Sequence, residues 1–585
     1  MWQGTDAQKW FEQPKAEVLT GPVTAAGGDR RRGVPYGGPG PWQWGLDATG
    51  DVADSTLKRK DQHMCHPRMI RLSMLLTMTM VGVTASDAGA QGQAQAGPER
   101  RLDCAALAGV QVENVRITTA VAVPTPAGAV KVAHCRVSGV IDKEIRFTEL
   151  LPDRWNERFF AGGGGGFAGA LENQARTSIN LGYATVGTDT GHQAGQFEAG
   201  WALDNRERQV NYGYLAIHRT ADVAKAIIKA YYGAGPKYSY FFGCSNGGRQ
   251  ALMEAQRYPG DFDGIVSCAP VLNLTNTAAA FVKHMQVTFP DPHALGASAI
   301  TPDNLKLLES QVLEKCDALD GVKDGVLTDP RDCRFKVADL PLCPPDQPAA
   351  DCVTEAQRAA IARIYAATTS QGVMVYPGQP FGGEAQPQGW QAWITGVDAQ
   401  LSAATKGQYP SADFAFGAEF FKYFVSGRKD WDYSTYDLSR WRADTSVLAT
   451  IVNADNPDLS AFKAKGGKLI LAHGWADPGI NPLATIAYYE RIQTRDARLR
   501  DYVRLFMMPG VLLCVGGAGP DTVDWFAPIA AWVEHGQAPE RVVAQKLAAD
   551  GAVVNARPLC PYPLRAVYDG RGSTTDVASY ACKAK

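Results

Sequence analysis

Lys237–Pro270 reads KYSYFFGCSNGGRQALMEAQRYPGDFDGIVSCAP. Tyr238–Phe242 is an aromatic, strand-prone run. It passes into Gly243-Cys244-Ser245-Asn246-Gly247-Gly248, and Arg249–Tyr258 beyond it has helical composition. Strand, G-x-S-x-G, helix is the pattern of a nucleophile elbow, whose glycines permit a strained turn that lifts the serine hydroxyl clear of the backbone. The pentapeptide alone is weak in a chain with 60 Gly, so its context has to carry the reading. A second strand, Gly264–Cys268, follows the helix and completes the β-α-β crossover of a parallel sheet. The fold class read from this stretch is α/β, of the α/β-hydrolase type, with Ser245 as nucleophile. The competing reading is an ordinary turn serine.

Upstream, Arg158-Phe159-Phe160-Ala161 leads into Gly162–Gly166 and then Phe167-Ala168-Gly169. A phosphate loop would end in G-K-[ST], which is missing here, and the glycines directly follow a short apolar strand. In an α/β-hydrolase the loop after that strand gives one oxyanion-hole N–H, and the residue after the nucleophile gives the other. Gly166 and Asn246 are the candidates. Between them Tyr183–Asp189 reads as a strand, and Tyr214–Tyr231 reads as a helix packed on the sheet. Late in the chain Lys468–Ala472 is another buried strand, followed by His473-Gly474-Trp475-Ala476-Asp477. An acid just past a strand and well after the nucleophile fits the order Ser…Asp…His, so Asp477 is the candidate orienting acid. A surface loop acid is the plain alternative.

The 585 residues carry 58 Lys+Arg against 60 Asp+Glu, a net charge of −2, which argues against a nucleic-acid binder needing a basic stripe. A hydrophobic share of 45% with 13 Trp excludes wholesale disorder. No apolar run reaches membrane-spanning length, so no membrane partner is expected in the mature form. Residues 1–63 show no sustained period and are read as an unassigned leader arising from start-site choice. Residues 64–90 combine Arg68 and Arg71, the apolar Leu72–Ala85 and Ala88-Gly89-Ala90, a signal peptide for export. Eleven cysteines follow it, none in a C-x-x-C pair, which favours disulfides in an oxidising compartment, secreted or periplasmic, and leaves one thiol over.

Within the segment after Val271, Cys316-Asp317-Ala318-Leu319-Asp320-Gly321-Val322-Lys323-Asp324-Gly325-Val326 puts three carboxylates in a glycine-bearing loop. Hard oxygen donors of this kind suit Ca²⁺, although the terminal Glu of an EF-hand is missing. A solvated acidic turn is the bland reading.

Taken together these motifs resemble the tannase and feruloyl esterase family, which includes mono(hydroxyethyl) terephthalate hydrolases. The resemblance runs from about Cys104 to Cys582. It rests on Arg158–Phe160, Gly187-Thr188-Asp189-Thr190-Gly191-His192, Gly243–Arg249, Gly474–Asp477, Pro520-Asp521-Thr522 and Arg557-Pro558-Leu559-Cys560-Pro561-Tyr562-Pro563. It implies an α/β-hydrolase core over 98–270 and 466–585, interrupted by a lid over 271–465 that shapes an apolar slot for an aromatic acyl group. It implies a disulfide between Cys244 and Cys514, with Cys104–Cys135, Cys316–Cys333, Cys343–Cys352 and Cys560–Cys582 beside it, and a free, buried Cys268. It also implies a structural calcium held by the side chains of Asp317, Asp320 and Asp324 and the carbonyls of Val322 and Val326, with no organic cofactor. One position departs: where the family reads P-G-x-x-H-C, this chain reads Pro509-Gly510-Val511-Leu512-Leu513-Cys514. Leu513 stands where the catalytic histidine is expected, and leucine can neither accept nor return a proton. His473 and His535 are the histidines nearest the acid and the late helix, but neither matches the motif position. The expectation is a serine carboxylic ester hydrolase acting on small aromatic esters, with a non-turning-over binder of the same esters as the rival.

Overall fold

The computed structural model describes residues 101–584, except 127, 346, 397 and 398. The readings for 1–63 and 64–90 lie outside the described residues.

The central strands are apolar because both of their faces are covered, as in parallel sheets generally. Among the described residues the main sheet has nine strands. They are β1 (Val115–Val123), β2 (His134–Ile141), β3 (Ile145–Pro152), β4 (Arg158–Gly162), β5 (Ala184–Thr188), β6 (Tyr238–Cys244), β7 (Gly264–Cys268), β8 (Lys468–Gly474) and β9 (Val503–Met508). Their order is β1-β2-β3-β5-β4-β6-β7-β8-β9. β1, β2, β3 and β5 pair antiparallel, and from β5 through β4 to β9 every pairing is parallel.

Alternation along the strands builds two cores. Phe159, Phe241, Ile265, Leu469, Leu471 and Leu505 face one side; their neighbours Phe160, Tyr240, Val266, Ile470 and Phe506 face the other. The first side is covered by α1 (Ala216–Tyr232), α2 (Asn246–Arg257) and Pro482–Arg495, the second by Phe526–His535 through Ile529 and Trp532. The helix expected from Tyr214 starts at Ala216, because Asn211–Leu215 forms a π-turn ahead of it. α1 buries Ile217, Ala221, Ala224 and Ile228 at helical spacing and stops at Gly233.

Between β7 and β8 the chain leaves the sheet for a largely helical segment that includes α3 (Leu274–Thr288) and α4 (Pro302–Cys316). α3 is buried nearly all round. Its Phe281 and Met285 share an apolar cluster with Phe414, Phe420 and Phe424 from the same segment and with Phe167, Trp201 and Tyr212 from the core. The inserted segment is thereby packed directly on the loop that follows β4. Five disulfides join Cys104–Cys135, Cys244–Cys514, Cys316–Cys333, Cys343–Cys352 and Cys560–Cys582, the pairs that the resemblance implies. Cys268 is free and buried. No helix among the described residues is long and apolar enough to cross a membrane.

Candidate active site

Ser245 stands between β6 and α2 with φ 61° and ψ −122°. A non-glycine residue in this region is strained, and surrounding contacts must hold it. Here Ser245 N–H donates to Cys268 O (3.0 Å), and Gln174 brackets Cys244, accepting from its N–H at 2.7 Å. Gly243 is required by close approach: a Cβ there would lie 2.2 Å from Gly247 O. Ser245 is half-buried, and among the described residues its hydroxyl has no hydrogen-bond partner.

The glycine loop is tied to the elbow residue by residue. Gly164 N–H donates to Gln250 Oε1 (3.0 Å), Gly164 O accepts from Asn246 Nδ2 (3.0 Å), and Gly165 N–H donates to Glu172 Oε2 (2.7 Å). Gly166 has φ +51°, and an added Cβ would meet Gln196 O at 2.5 Å. Its carbonyl accepts from Tyr212 Oη (3.2 Å), the carbonyl of the preceding Gly165 accepts from Ala168 N–H (2.8 Å), and the Gly166 N–H on that preceding peptide meets no protein acceptor among the described residues. Asn246, first in α2, likewise has an N–H without a protein acceptor, as the first turn of a helix leaves it. Two free backbone donors beside a serine hydroxyl are what an oxyanion hole requires.

Arg249 anchors this arrangement from behind. Fully buried, it donates through Nε to Asn246 Oδ1 (2.9 Å) and through its terminal nitrogens to Gly213 O (2.7 Å) and Tyr212 O (3.0 Å). His192 holds the next residue of the glycine loop, donating from Nε2 to Phe167 O (2.9 Å) while stacked 3.6 Å from Trp201. Burial lowers the His192 ring to about 4, so it is neutral. Asp189, raised to about 6 by burial, accepts from the N–H groups of Arg146 and Gly191 (both 2.9 Å). Sequence reading placed Gly187–His192 and Arg249 inside motifs without assigning them these positions; Glu172, Gln174 and Gln250 gave no signal.

Asp477 follows β8 and is fully buried. Oδ1 accepts from Gly479 N–H (3.0 Å) and Ile480 N–H (2.9 Å), and Oδ2 faces His473 Nε2 (3.1 Å). His473 has no valence left for catalysis: Nε2 also donates to Ile480 O (2.8 Å), and Nδ1 accepts from Thr485 Oγ1 (2.8 Å). It is a positioning residue for the acid. The loop with Val511 and Leu512 lies against the acid loop, Ala476 N–H donating to Val511 O (3.0 Å). Leu513 is half-buried, packed where the cluster of the inserted segment meets that of the sheet, and Cys514 next to it is bonded to Cys244 next to Ser245. Neither His473 nor His535, the last residue of its helix, occupies the position of Leu513. Burial, with Asp477 adding to it, pushes the free Cys268 thiol up to about 12, which makes it inert.

On the Asp317–Val326 loop, Asp317 Oδ1 accepts from Gly325 N–H (2.9 Å), and Asp320 accepts from Val322 N–H (3.0 Å) and Thr328 Oγ1 (2.6 Å). Asp324 is paired with Arg557. Burial raises the Asp324 carboxyl, Arg557 opposes it, and Asp320 and Asp317 add to it. Among the described residues no donor points at the carbonyls of Val322 or Val326. The donor chemistry fits a hard cation, but the three carboxylates do not bring their oxygens within 4.8 Å of one another, so the loop would have to close around the ion.

A serine on a strained strand-to-helix turn, paired free N–H groups and a buried acid past a later parallel strand make this an α/β-hydrolase, built for acyl transfer from esters. The family model "Tannase and feruloyl esterase" matches residues 129–583. An uncharacterized esterase of Xanthomonas campestris pv. campestris is 34% identical, over 88% of this chain and 96% of its own. Mono(2-hydroxyethyl) terephthalate hydrolase of Piscinibacter sakaiensis is 31% identical, over 79% of this chain and 86% of its own. The crystal structure of feruloyl esterase B from Aspergillus oryzae superposes with a TM-score of 0.73 at 26% identity, covering 82% of this chain and 100% of that one. The chain belongs to the tannase and feruloyl esterase family of carboxylic ester hydrolases.

Proposed function

We propose that this chain attacks esters of aromatic acids through Ser245, forming an acyl-enzyme, and that Leu513 leaves it without the base that makes both half-reactions fast. The observation that carries the reading is the strained Ser245 followed by Asn246, whose side chain ties the glycine loop to the elbow at Gly164, with the N–H groups of Asn246 and of Gly166 on that loop both free of protein acceptors among the described residues. Ser245 Oγ adds to the ester carbonyl as its proton passes to water, the two N–H groups receive the developing oxyanion, and the ester C–O bond then breaks as the alcohol leaves with a proton from water. Asp477 is the orienting acid, left without its histidine. An aromatic acyl group is supported by the wall next to Gly166: Phe167 and Phe416 meet edge to face at 5.5 Å, and Phe416 reaches Phe197 (4.8 Å) and Trp393 (6.1 Å). Residues 271–465, packed on that wall, act as the lid. Asp317, Asp320 and Asp324 with the Val322 and Val326 carbonyls hold a structural Ca²⁺. Five disulfides support a secreted or periplasmic setting.

The second reading, a protein that binds such esters without turning them over, is favoured by the partnerless Ser245 hydroxyl. Tryptophan quenching with methyl ferulate, followed by product release over hours, decides between them. Saturable binding with slow release that vanishes in Ser245→Ala supports the first reading. Saturable binding with no Ser245-dependent release supports the second, and absence of binding to hydroxycinnamoyl, galloyl and terephthaloyl esters alike overturns the substrate class.

A further inference from the structure

We propose that Phe424, from the inserted segment, is a positioning residue for the oxyanion hole, holding the Gly166 and Asn246 N–H groups in place through Phe167, Trp201 and Tyr212. The inference rests on the reading of those two N–H groups as oxyanion donors.

Phe424 is buried, and its ring meets three core side chains at once. It stacks on Phe167 (5.9 Å, 28°), stands edge-on to Trp201 (5.3 Å, 87°) and lies tilted against Tyr212 (5.9 Å, 54°). Each of the three supports a different part of the site. Phe167 follows Gly166 in the turn that Ala168 N–H closes on Gly165 O, and its own N–H donates to Gln196 O (2.8 Å). Trp201 stacks on His192, whose Nε2 donates to Phe167 O. Tyr212 donates from Oη to Gly166 O, and its ring faces the Arg249 guanidinium at 4.6 Å. Arg249 in turn donates to the Tyr212 carbonyl and to Asn246 Oδ1. One ring of the inserted segment thus backs the supports of both donors.

The backbone singles out the same residues. Phe424 and Tyr212 each sit in a π-turn, Phe421–Val425 and Asn211–Leu215. The third π-turn among the described residues, Gln391–Thr395, carries Trp393 of the aromatic wall. Such turns are rare and concentrate at functional sites. Phe416 extends the wall from Phe167 to Phe197 and Trp393, whereas Phe424 makes no ring contact with Phe416, Phe197 or Trp393. Losing the Phe424 ring should therefore loosen the donors and spare the slot. Donors that engage only the developing oxyanion act on kcat, not on ground-state binding.

Methyl ferulate hydrolysis is measured in the Leu513→His background, where kcat and KM separate, and as Ser245-dependent release in the parent chain. Phe424→Leu, which keeps most of the buried volume, should lower kcat on the order of tenfold, and Phe424→Ala by more. KM, and the Kd of ferulate read by tryptophan quenching, should stay within about twofold. Phe424→Leu alone decides if Phe424→Ala does not fold. A kcat within about twofold of the background, or a loss that falls on KM and ferulate binding instead, overturns the inference and leaves the Ser245 reading standing. Absence of Ser245-dependent turnover in both backgrounds overturns the Ser245 reading, and this inference with it.

Discussion

On the proposed mechanism, Leu513 decides whether the machinery at Ser245 can run. In a serine triad the histidine takes the nucleophile's proton and returns it to the leaving group, so its loss disables both acylation and deacylation. His473 cannot substitute, because Asp477, Ile480 and Thr485 occupy both ring nitrogens. Leu513→His should therefore raise kcat on methyl ferulate by on the order of 10³-fold or more, with KM little changed because the aromatic wall is untouched. A parent chain that already turns over quickly, and loses this in His473→Ala, would show the assignment of His473 as a positioning residue to be wrong. Arg249 makes a second case. Arg249→Ala strips donors from the carbonyls of Tyr212 and Gly213 and should cost about 3 kcal/mol or more by leaving buried acceptors unpaired, read as a lower denaturant midpoint.

Among elements, the loop from Gly510 to Gly517 depends on its tether. The Cys244–Cys514 bond closes a sequence separation of 270 residues and keeps position 513 beside the elbow. Replacing both cysteines by alanine should lower stability by about 2–4 kcal/mol and should abolish the rescue by Leu513→His. Full rescue without the disulfide would mean that packing alone places the loop. The segment Phe381–Gly383, next to Glu384, shares a small cavity with Trp475 and Ala476, just before Asp477. Glu384 is fully buried, accepts from Tyr365 Oη (2.5 Å) and Gly382 N–H (2.7 Å), and burial raises it from 4.5 to about 7. The folded carboxyl keeps its proton between those values while the unfolded one releases it. Stability should fall as pH rises from 4.5 to about 7 and level off above. Glu384→Gln removes this titration, so its Tm should decline less than the parent's between pH 5 and pH 8; parallel curves would refute the link.

For the molecule as a whole, the inserted segment is held to the core at several separate places: the aromatic cluster around Phe167, the Asp324–Arg557 pair and the Arg565–Asp332 pair. If Ca²⁺ closes the Asp317–Val326 loop, chelation removes a ligand of the native state alone and should lower Tm. It should also loosen the strand Val553–Leu559, which carries Arg557 and pairs antiparallel with Val542–Leu547 outside the main sheet, seen as faster amide exchange there. An unchanged melting curve in excess chelator, with no calcium on metal analysis, would remove the ion from the account.

The sequence by itself determined what depends on a few consecutive residues. Tyr238–Cys268 specifies strand, elbow, helix and strand because chain direction, glycine at the turn and apolar runs are local properties. The same holds for the acid after β8 and for the absence of histidine at 513. Family motifs also pointed to the disulfide pairs, which spacing alone leaves open. Only the tertiary structure decided that Gly166 and Asn246 keep their N–H groups free, since this depends on Tyr212, Gln250 and Glu172 consuming the neighbouring groups. Only it showed Arg249 buried under the elbow and His473 fully engaged. These are relations between side chains tens to hundreds of residues apart, fixed by where β6, β7 and β8 bring their ends together, and no window along the chain contains them.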